Sequence, residues 1–260
     1  MKAMVFAAGL GTRLRPLTDD RPKALVGVRG RTLIEITLAR LREYGITDVV
    51  VNAHHFADKL VDYLNARDNF GLKIRVSRED ELLDTGGGLK KAAQFFLGDK
   101  HNPEDLILIH NVDVISTIDF ERMEQAHRRD DALVTLAVQK RETSRYLIFD
   151  EQRQLCGRLI GSGATAEIVR PAGGAEPLAF SGIHIVSPRL LTMLTEKGVF
   201  SIINSYLRLA GEGENIRAFR ADEYYWRDVG RYEDLAQAER DLLEDNPQKD
   251  SRQNEGKQKG

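Results

Sequence analysis

Cysteine is almost absent from this 260-residue sequence, and long apolar runs are missing altogether. The single cysteine, Cys156, has no partner for an intramolecular disulfide, and no Cys/His spacing resembles a zinc site. No apolar run approaches the roughly 18–20 residues that span a bilayer, and the run at residues 3–8 is too short for a signal peptide. These absences predict a cytoplasmic protein without membrane contact.

An excess of charge of one sign is lacking as well. The sequence has 38 Lys and Arg residues against 40 Asp and Glu residues, which gives a net charge of −2. Nucleic-acid binding depends on a basic face that displaces counterions, so this composition predicts no nucleic-acid partner. The length and the apolar content are instead those of a globular protein with a substantial core.

Short apolar runs alternate with helix-period segments over the first 140 residues. This alternation predicts an α/β fold of three layers, α/β/α, around a mostly parallel mixed sheet. Residues 141–181 are polar and glycine-rich, and a helical pattern near Leu235 closes the chain. We therefore expect one domain over residues 1–245. Residues 246–260 contain no apolar side chain that could join a core, so we expect a disordered polar tail there.

The most informative segment is residues 7–16, AAGLGTRLRP, which begins in the last two residues of a strand predicted over residues 4–8. A glycine-rich turn after a strand lets backbone N–H groups converge on an anion. The segment is not a Rossmann fingerprint, because Leu14 stands at the third glycine position, and no GK[ST] of a Walker A loop follows. The cations Arg13 and Lys23 beside the turn suit a polyphosphate.

The ordered run over residues 7–18, continued by RPKALV at residues 21–26, resembles the signature of the sugar-1-phosphate nucleotidyltransferases. The similarity continues in DTGGG at residues 84–88, NVD at 111–113 and WRDVG at 226–230. Among the subfamilies, the sequence is most similar to N-acetylmuramate-1-phosphate uridylyltransferases and to mannose-1-phosphate guanylyltransferase-like members.

This resemblance implies a Rossmann-like nucleotide-diphospho-sugar transferase fold, with a nucleotide-binding half at residues 1–140 and a sugar-binding half at 141–245. It also implies the reaction of a nucleoside triphosphate, UTP or GTP being favoured, with a sugar 1-phosphate to give a nucleotide sugar and pyrophosphate. Such a product would serve the synthesis or recycling of cell-wall or surface-glycan precursors.

Two aspartates are candidate ligands of a divalent metal. Asp113 comes shortly after a predicted buried strand, and Asp228 lies in WRDVG. Mg²⁺ prefers one or two carboxylates together with phosphate oxygens, whereas an aspartate after a strand also often caps the next helix. The residues alone leave both interpretations open; the resemblance implies that Asp113 and Asp228 hold a catalytic Mg²⁺.

The resemblance also implies the remaining site residues. Catalytic roles fall to Arg13, Lys23 and Asp113, and sugar contacts to Ser181 and Gly182. The nucleotide contacts are expected at Ala8, Gly9, Gly11, Thr12, Arg13, Lys23, Gly86, Gly87 and Asn111. The run of glycines at 86–88 is expected to precede a helix and to let the backbone approach a flat ligand, a flexible connector being the alternative.

Several polar residues have no clear role. Adjacent histidines in a strand point to opposite faces, so His54 and His55 are expected to be structural. Asp84 is expected to be a helix N-terminal carboxylate rather than a ligand of the base or ribose. Arg141 and Arg145 belong either to a polar wall or to a sugar-phosphate pocket.

Two other functions remain open at this point. Cytidylyl transfer to phosphocholine uses the same loop and lysine, but residues 140–181 offer only Tyr146, Phe149 and Phe180 toward an aromatic cage for a quaternary ammonium. A non-catalytic nucleotide sensor would have a degenerate site, whereas Arg13, Lys23, Asp113 and Asp228 are all present in this sequence. The base, the sugar and the choice between a monomer and a small homo-oligomer stay open.

Overall fold

A computed structural model of the protein describes residues 1–98, 102, 104–160, 165–171 and 173–244. The predicted polar tail at 246–260 lies outside the described residues. In chain order the strands are β1 Lys2–Phe6, β2 Gly27–Val28, β3 Arg31–Thr32, β4 Asp48–Ala53, β5 Lys73–Arg78, β6 Ile107–Asn111, β7 Val114–Ser116, β8 Val134–Gln139, β9 Tyr146–Phe149, β10 Leu155–Ile160, β11 Thr165–Ile168, β12 Glu176–Val186, β13 Ile216–Arg220 and β14 Trp226–Asp228. The α-helices are α1 Leu33–Glu43, α2 Ala57–Asn65, α3 Asp84–Ala92, α4 Phe120–Arg129, α5 Leu190–Met193, α6 Ile202–Gly211 and α7 Tyr232–Glu244.

Within the described residues, ten strands form one mixed sheet, with the order β11-β10-β9-β12-β6-β1-β4-β5 and with β8 joining β12 to β13. The strands of the first part, β6, β1, β4 and β5, pair in parallel. Strand β12 then runs antiparallel to β6, β8 and β9 and links the two parts of the chain through one continuous sheet.

Alternation along β1 separates two cores on the two faces of this sheet. Ala3 and Val5 pack into one cluster with residues of α1, α2, α4 and α7. Met4 and Phe6 pack on the opposite face with residues of α3, α5 and α6. Helices therefore cover both faces, and the predicted three-layer α/β architecture is confirmed. None of the described helices is long and apolar enough to cross a membrane.

Local sequence explains where the elements begin and end. Helix α1 begins at a capping box between Thr32 and Glu35 and is followed by Gly45 at φ 70°. Strand β1 ends at Phe6, two residues before the predicted end, because the next two backbone N–H groups donate to the side chain of Asn52 instead of to a neighbouring strand.

The prediction that the glycine run precedes a helix is wrong. Helix α3 begins at Asp84 and contains Gly86, Gly87 and Gly88. First-turn N–H groups of a helix have no intrahelical partner. Here the N–H groups of Gly86 and Gly87 donate to the carbonyl oxygen of Phe200, at 2.9 and 3.3 Å, so the chain itself satisfies them.

Candidate active site

The glycine-rich N-terminal loop leaves the sheet at β1 and turns back on itself. The N–H groups of Ala7 and Ala8 donate to Oδ1 of Asn52, at 2.6 and 3.3 Å. Gly11 adopts φ +66°, and its carbonyl oxygen accepts a hydrogen bond of 2.9 Å from the hydroxyl of Thr18. A Cβ at Gly11 would lie only 2.8 Å from Cγ2 of Thr18, so both the conformation and the packing require glycine there.

The tip of the loop is open. Gly9 is exposed, and a Cβ built on it would meet nothing within 4 Å. Thr12 and Arg13 are also exposed, and they lie in the 3₁₀ turn Thr12–Leu14. The free surface of the loop thus presents glycine backbone and the guanidinium of Arg13.

Lys23 is a buried cation. It begins the 3₁₀ turn Lys23–Leu25, its side chain is only 10% exposed, and its Nζ forms an ion pair with Oδ2 of Asp113. Burying a charge is costly unless it is paired, so this contact explains how a lysine can occupy an interior position.

The two predicted metal ligands meet because their strands pair. Strand β7 follows Asp113 directly, β14 ends in Asp228, and the two strands are antiparallel with Asp228 opposite Val114. A backbone hydrogen bond of 2.8 Å from the N–H of Val229 to the carbonyl oxygen of Asp113 extends this pairing. Two aspartates that are distant in the sequence are thereby brought to the same place.

Charged groups from three segments converge around Gly230. A Cβ built on this glycine would lie 2.7 Å from Oδ1 of Asp228 and 2.8 Å from Nη2 of Arg13. The same position is 3.2 Å from Nζ of Lys23. We use the term phosphate end for Arg13, Lys23, Asp113 and Asp228.

The electrostatics of the phosphate end favour a divalent cation. Burial raises the pKa of the Asp228 carboxyl, and the neighbouring Asp113 carboxylate raises it further. The Gly230 N–H, which donates to Oδ1 of Asp228 at 2.7 Å, and the cations Lys23 and Arg13 act in the opposite direction. Two adjacent hard carboxylates fit Mg²⁺, which takes one or two such ligands together with phosphate oxygens. Among the described residues no group of three or more His, Cys, Asp or Glu side chains that could hold a metal ion occurs.

The glycines of α3 have a different use from that expected. A Cβ at Gly86 would lie 2.9 Å from the carbonyl oxygen of Phe200 and would overlap its ring. A Cβ at Gly87 would lie 2.7 Å from the carbonyl oxygen of Gly198, and one at Gly88 would lie 2.8 Å from Oε1 of Glu79. The space that these glycines leave is therefore filled by the chain, and a nucleotide contact at Gly86 and Gly87 stays a prediction.

The predicted sugar-binding residues lie at an irregularity of β12, whose pairing with β8 shifts between Phe180 and His184. Gly182 has φ +72°, and a Cβ there would lie 2.7 Å from Nδ2 of Asn111, which ends β6. Ser181 is fully buried, and its carbonyl oxygen accepts a hydrogen bond of 2.7 Å from the indole N–H of Trp226. Ser181 thus fixes the indole two residues before Asp228.

Trp226 and Arg141 form a wall that the sequence left unassigned. The guanidinium carbon of Arg141 lies 3.7 Å from the centroid of a Trp226 ring, and Nη2 donates to the carbonyl oxygen of Phe180 at 2.8 Å. Burial lowers the pKa of Arg141, and the Asp228 carboxylate opposes this shift. The Nε atom of Arg141 is buried and has no hydrogen-bond partner within the described part of the chain.

This wall borders a cleft of about 980 Å³ that reaches the phosphate end. Its lining residues are Arg13, Arg141, Glu142, Thr143, Ser144, Tyr146, Trp226, Arg227, Asp228, Arg231 and Asp234. We use the term acceptor end for the part of the cleft beside Arg141, Tyr146 and Trp226. The sequence placed Arg141 either in a polar wall or in a sugar-phosphate pocket, and no signal in it indicated the contact with Trp226.

The other unassigned residues lie outside this cleft. Arg145 is exposed and is not among the lining residues. His54 and His55 follow β4 instead of lying within a strand; Nδ1 of His54 is 2.9 Å from the carbonyl oxygen of Glu79, and the His55 ring packs on Phe56. Asp84 is the first residue of α3, as the helix N-terminal interpretation predicted.

Comparison with known proteins supports one family. The family model described as Nucleotidyl transferase matches residues 2–245. The sequence is 36% identical over 251 residues to N-acetylmuramate alpha-1-phosphate uridylyltransferase of Caulobacter vibrioides, covering 93% of this chain and 97% of the relative. It is 27% identical to UTP–glucose-1-phosphate uridylyltransferase of Synechocystis, of whose length it spans 63%.

Solved structures show the same fold. HddC from Yersinia pseudotuberculosis, complexed with GMP-PN, superposes with a TM-score of 0.71 at 20% identity, covering 93% of this chain and 99% of that one. A protein of Bacillus anthracis that is assigned as a glucose-1-phosphate thymidylyltransferase superposes with a TM-score of 0.73 at 18% identity. The match covers 92% of this chain and 94% of that one.

Proposed function

The chain belongs to the Nucleotidyl transferase family, and we propose that it transfers the uridylyl group of UTP to N-acetylmuramate 1-phosphate. The reaction class is that of its relatives: a nucleoside triphosphate and a sugar 1-phosphate give a nucleotide sugar and pyrophosphate. Support for the uracil base and this sugar is the relative that is 36% identical and that the chain matches over 97% of its length. A product of this kind would enter cell-wall precursor synthesis or recycling.

The observation that carries the proposal is the convergence of Arg13, Lys23, Asp113 and Asp228 beside the cleft. Nucleotidyl transfer brings two anionic phosphates together, so catalysis depends mainly on positioning and on neutralising charge. A cluster of two cations and two metal-ligating carboxylates, open on one side to a cleft, supplies both.

In the reaction an anionic oxygen of the sugar 1-phosphate forms a bond to the α-phosphorus of UTP. The bond from that phosphorus to the oxygen of the β-phosphate breaks, and its electrons leave with pyrophosphate. The attacking oxygen is already ionised at neutral pH, so no general base is needed. We assign Arg13 to the β- and γ-phosphates and to the departing pyrophosphate, and Lys23 to the α-phosphate and the incoming phosphate.

Enzymes of this family typically use a divalent metal. We propose that Asp113 and Asp228 hold Mg²⁺, which when bound supplies Lewis-acid and template chemistry at the phosphates. Lys23 forms an ion pair with Asp113, so the cation lies directly beside this candidate metal ligand. The half-buried position of Asp228 and its hydrogen bond from Gly230 fix the second ligand.

Arg141 is proposed to face the acceptor. Its guanidinium lies over the Trp226 ring, and the residue lines the cleft. Because a cation already covers this indole, the ring is not free to bind a quaternary ammonium. This contact argues for an anionic sugar acceptor and against phosphocholine.

The proposal is tested by a matrix of five nucleoside triphosphates against N-acetylmuramate, N-acetylglucosamine, glucose and mannose 1-phosphates and phosphocholine, with pyrophosphate release as the readout. We expect the fastest release with UTP and N-acetylmuramate 1-phosphate. Faster release with phosphocholine would establish the cytidylyl alternative, and no release with any pair would favour a nucleotide sensor.

A further inference from the structure

A buried polar pair lies beneath the two segments that are proposed to contact the nucleotide. Asn52, in β4, is 3% exposed, and Glu79, just after β5, is 5% exposed. Nδ2 of Asn52 donates to Oε1 of Glu79 at 2.7 Å. Within the described residues no ion pair joins Glu79, so its carboxylate depends on neutral N–H donors. Nothing in the proposed reaction uses either side chain directly.

The amide of Asn52 holds the start of the glycine-rich loop. Its Oδ1 accepts hydrogen bonds from the N–H groups of Ala7 and Ala8, at 2.6 and 3.3 Å. These two contacts turn the chain out of β1, immediately before the exposed Gly9 and ahead of the 3₁₀ turn that carries the cation Arg13. The orientation of this side chain therefore sets the path of the loop.

The carboxylate of Glu79 holds the start of α3. Its Oε2 accepts a hydrogen bond of 3.0 Å from the N–H of Leu83, the residue before the helix. A Cβ at Gly88 would lie 2.8 Å from Oε1 of Glu79 and 3.0 Å from Nδ2 of Asn52, so the helix packs directly on the pair. One hydrogen-bonded pair thus touches both the loop and α3.

We propose that Asn52 and Glu79 are positioning residues, which set the spacing between the loop and α3 and thereby the affinity for the nucleoside triphosphate. This inference rests on the proposed function, because that function places the nucleotide between these segments. The acceptor end is built on other elements: Arg141 follows β8 and Trp226 lies in β14. The pair should therefore act on the nucleotide and leave the acceptor unaffected.

The hydrogen-bonding chemistry of the pair provides an exchange experiment. In Glu79→Gln the new NH₂ group must face either the NH₂ of Asn52 or the N–H of Leu83, so one donor meets another donor. In Asn52→Asp two carboxylates face each other. In the double variant the carboxylate at position 52 accepts from the loop and from the NH₂ group at position 79, while the amide oxygen at position 79 still accepts from Leu83. The double variant alone restores every hydrogen bond with the same total charge.

We expect each single variant to raise the KM and the dissociation constant for UTP about tenfold, since one buried group is left unsatisfied. The KM for the sugar 1-phosphate should change less than twofold, and the double variant should return within about threefold of wild type. The matched control is Thr135→Val, which removes a buried hydroxyl of β8 that is 2.8 Å from Nδ1 of His127 in α4, outside both segments. It should lower the thermal midpoint without changing either constant.

The outcomes separate this inference from the proposed function. Equal effects on both substrates, or a double variant that binds UTP as poorly as the single variants, would reduce the pair to a structural role and overturn the inference. If the single variants do not fold, the double variant must still fold and bind UTP like wild type. If the wild type releases no pyrophosphate, the proposed function fails, and calorimetric UTP affinities still decide the role of the pair.

Discussion

The two ends of the cleft differ in how tightly their charges are packed. At the phosphate end, the cations Arg13 and Lys23 and the carboxylate of Asp228 crowd around Gly230, where even one methyl group would come within 2.8 Å of two of them. At the acceptor end, one half-buried guanidinium lies over an indole and lines the cleft. From this difference we expect substitutions at the phosphate end to lower turnover and substitutions at the acceptor end to weaken sugar binding.

The largest effect is expected from removing a charge at the phosphate end. Lys23→Ala and Asp113→Asn should each lower kcat by on the order of 10²–10³, the usual loss when one transition-state charge contact is removed. The rate of pyrophosphate release measures this, and an unchanged circular dichroism spectrum shows that each variant folds. Turnover near that of wild type in either variant would contradict the assigned roles.

Crowding itself can be tested without changing a charge. Gly230→Ala places a Cβ 2.7 Å from Asp228 and 2.8 Å from Arg13, so these groups must move apart. Displacements of this size cost up to about 10²-fold in turnover. Gly27→Ala is the control, because its Cβ would meet nothing closer than 4.0 Å, and it should leave kcat unchanged. Equal turnover in the two variants would show that tight packing is not needed.

Low pH should destabilise the strands beneath both ends, because each of these strands contains a buried neutral histidine. Burial lowers the pKa of His110 in β6 to about 4 and that of His184 in β12 to about 3. Below the ordinary value near 6.5 the unfolded chain binds protons that the folded chain does not. Each histidine therefore costs about 1.4 kcal/mol of stability per pH unit as the pH falls from 6.5 toward the folded pKa.

Between pH 7 and pH 5 each of these histidines should account for about 2 kcal/mol of the lost free energy of unfolding. Urea unfolding of His184→Phe at both pH values should show a loss smaller by that amount than the wild type, and His110→Phe should behave alike. If both variants lose as much as the wild type, the histidines do not titrate as burial requires.

The smallest effect is expected at the acceptor end. Arg141→Ala should raise the KM for the sugar 1-phosphate about tenfold, the loss expected when one hydrogen bond to a charged group is removed, while the KM for UTP changes less than twofold. Arg145→Ala is the matched control, because that arginine is exposed and outside the cleft. A comparable change in both variants, or a loss confined to kcat, would remove the distinction between the ends.

The comparison also shows what the sequence can reveal. The groups of the phosphate end were predicted together through the resemblance of their ordered motifs to a known family. The residues alone left open whether the two aspartates bind a metal or cap a helix. The pairing of β7 with β14 then explains how Asp113 and Asp228 meet. No motif predicted the stack of Arg141 on Trp226, which depends on the irregularity of β12 and on the bond from the indole to Ser181.

Glycine was the other source of error. Sequence alone does not distinguish a glycine that leaves space for a ligand from one whose space the chain fills. Gly9 has an open surface, whereas Gly86 packs against Phe200 within a helix. Both occur in glycine-rich motifs, and only the tertiary packing separates them.

The dependence of pyrophosphate release on Mg²⁺, measured for the wild type, Asp113→Asn and Asp228→Asn, tests the central claim most directly. We expect chelator to abolish release by the wild type, added Mg²⁺ to restore it, and the same Mg²⁺ concentration to leave both variants at least about 10²-fold slower. Release that continues in chelator, or variants that match the wild type, would contradict a metal centre held by these two aspartates.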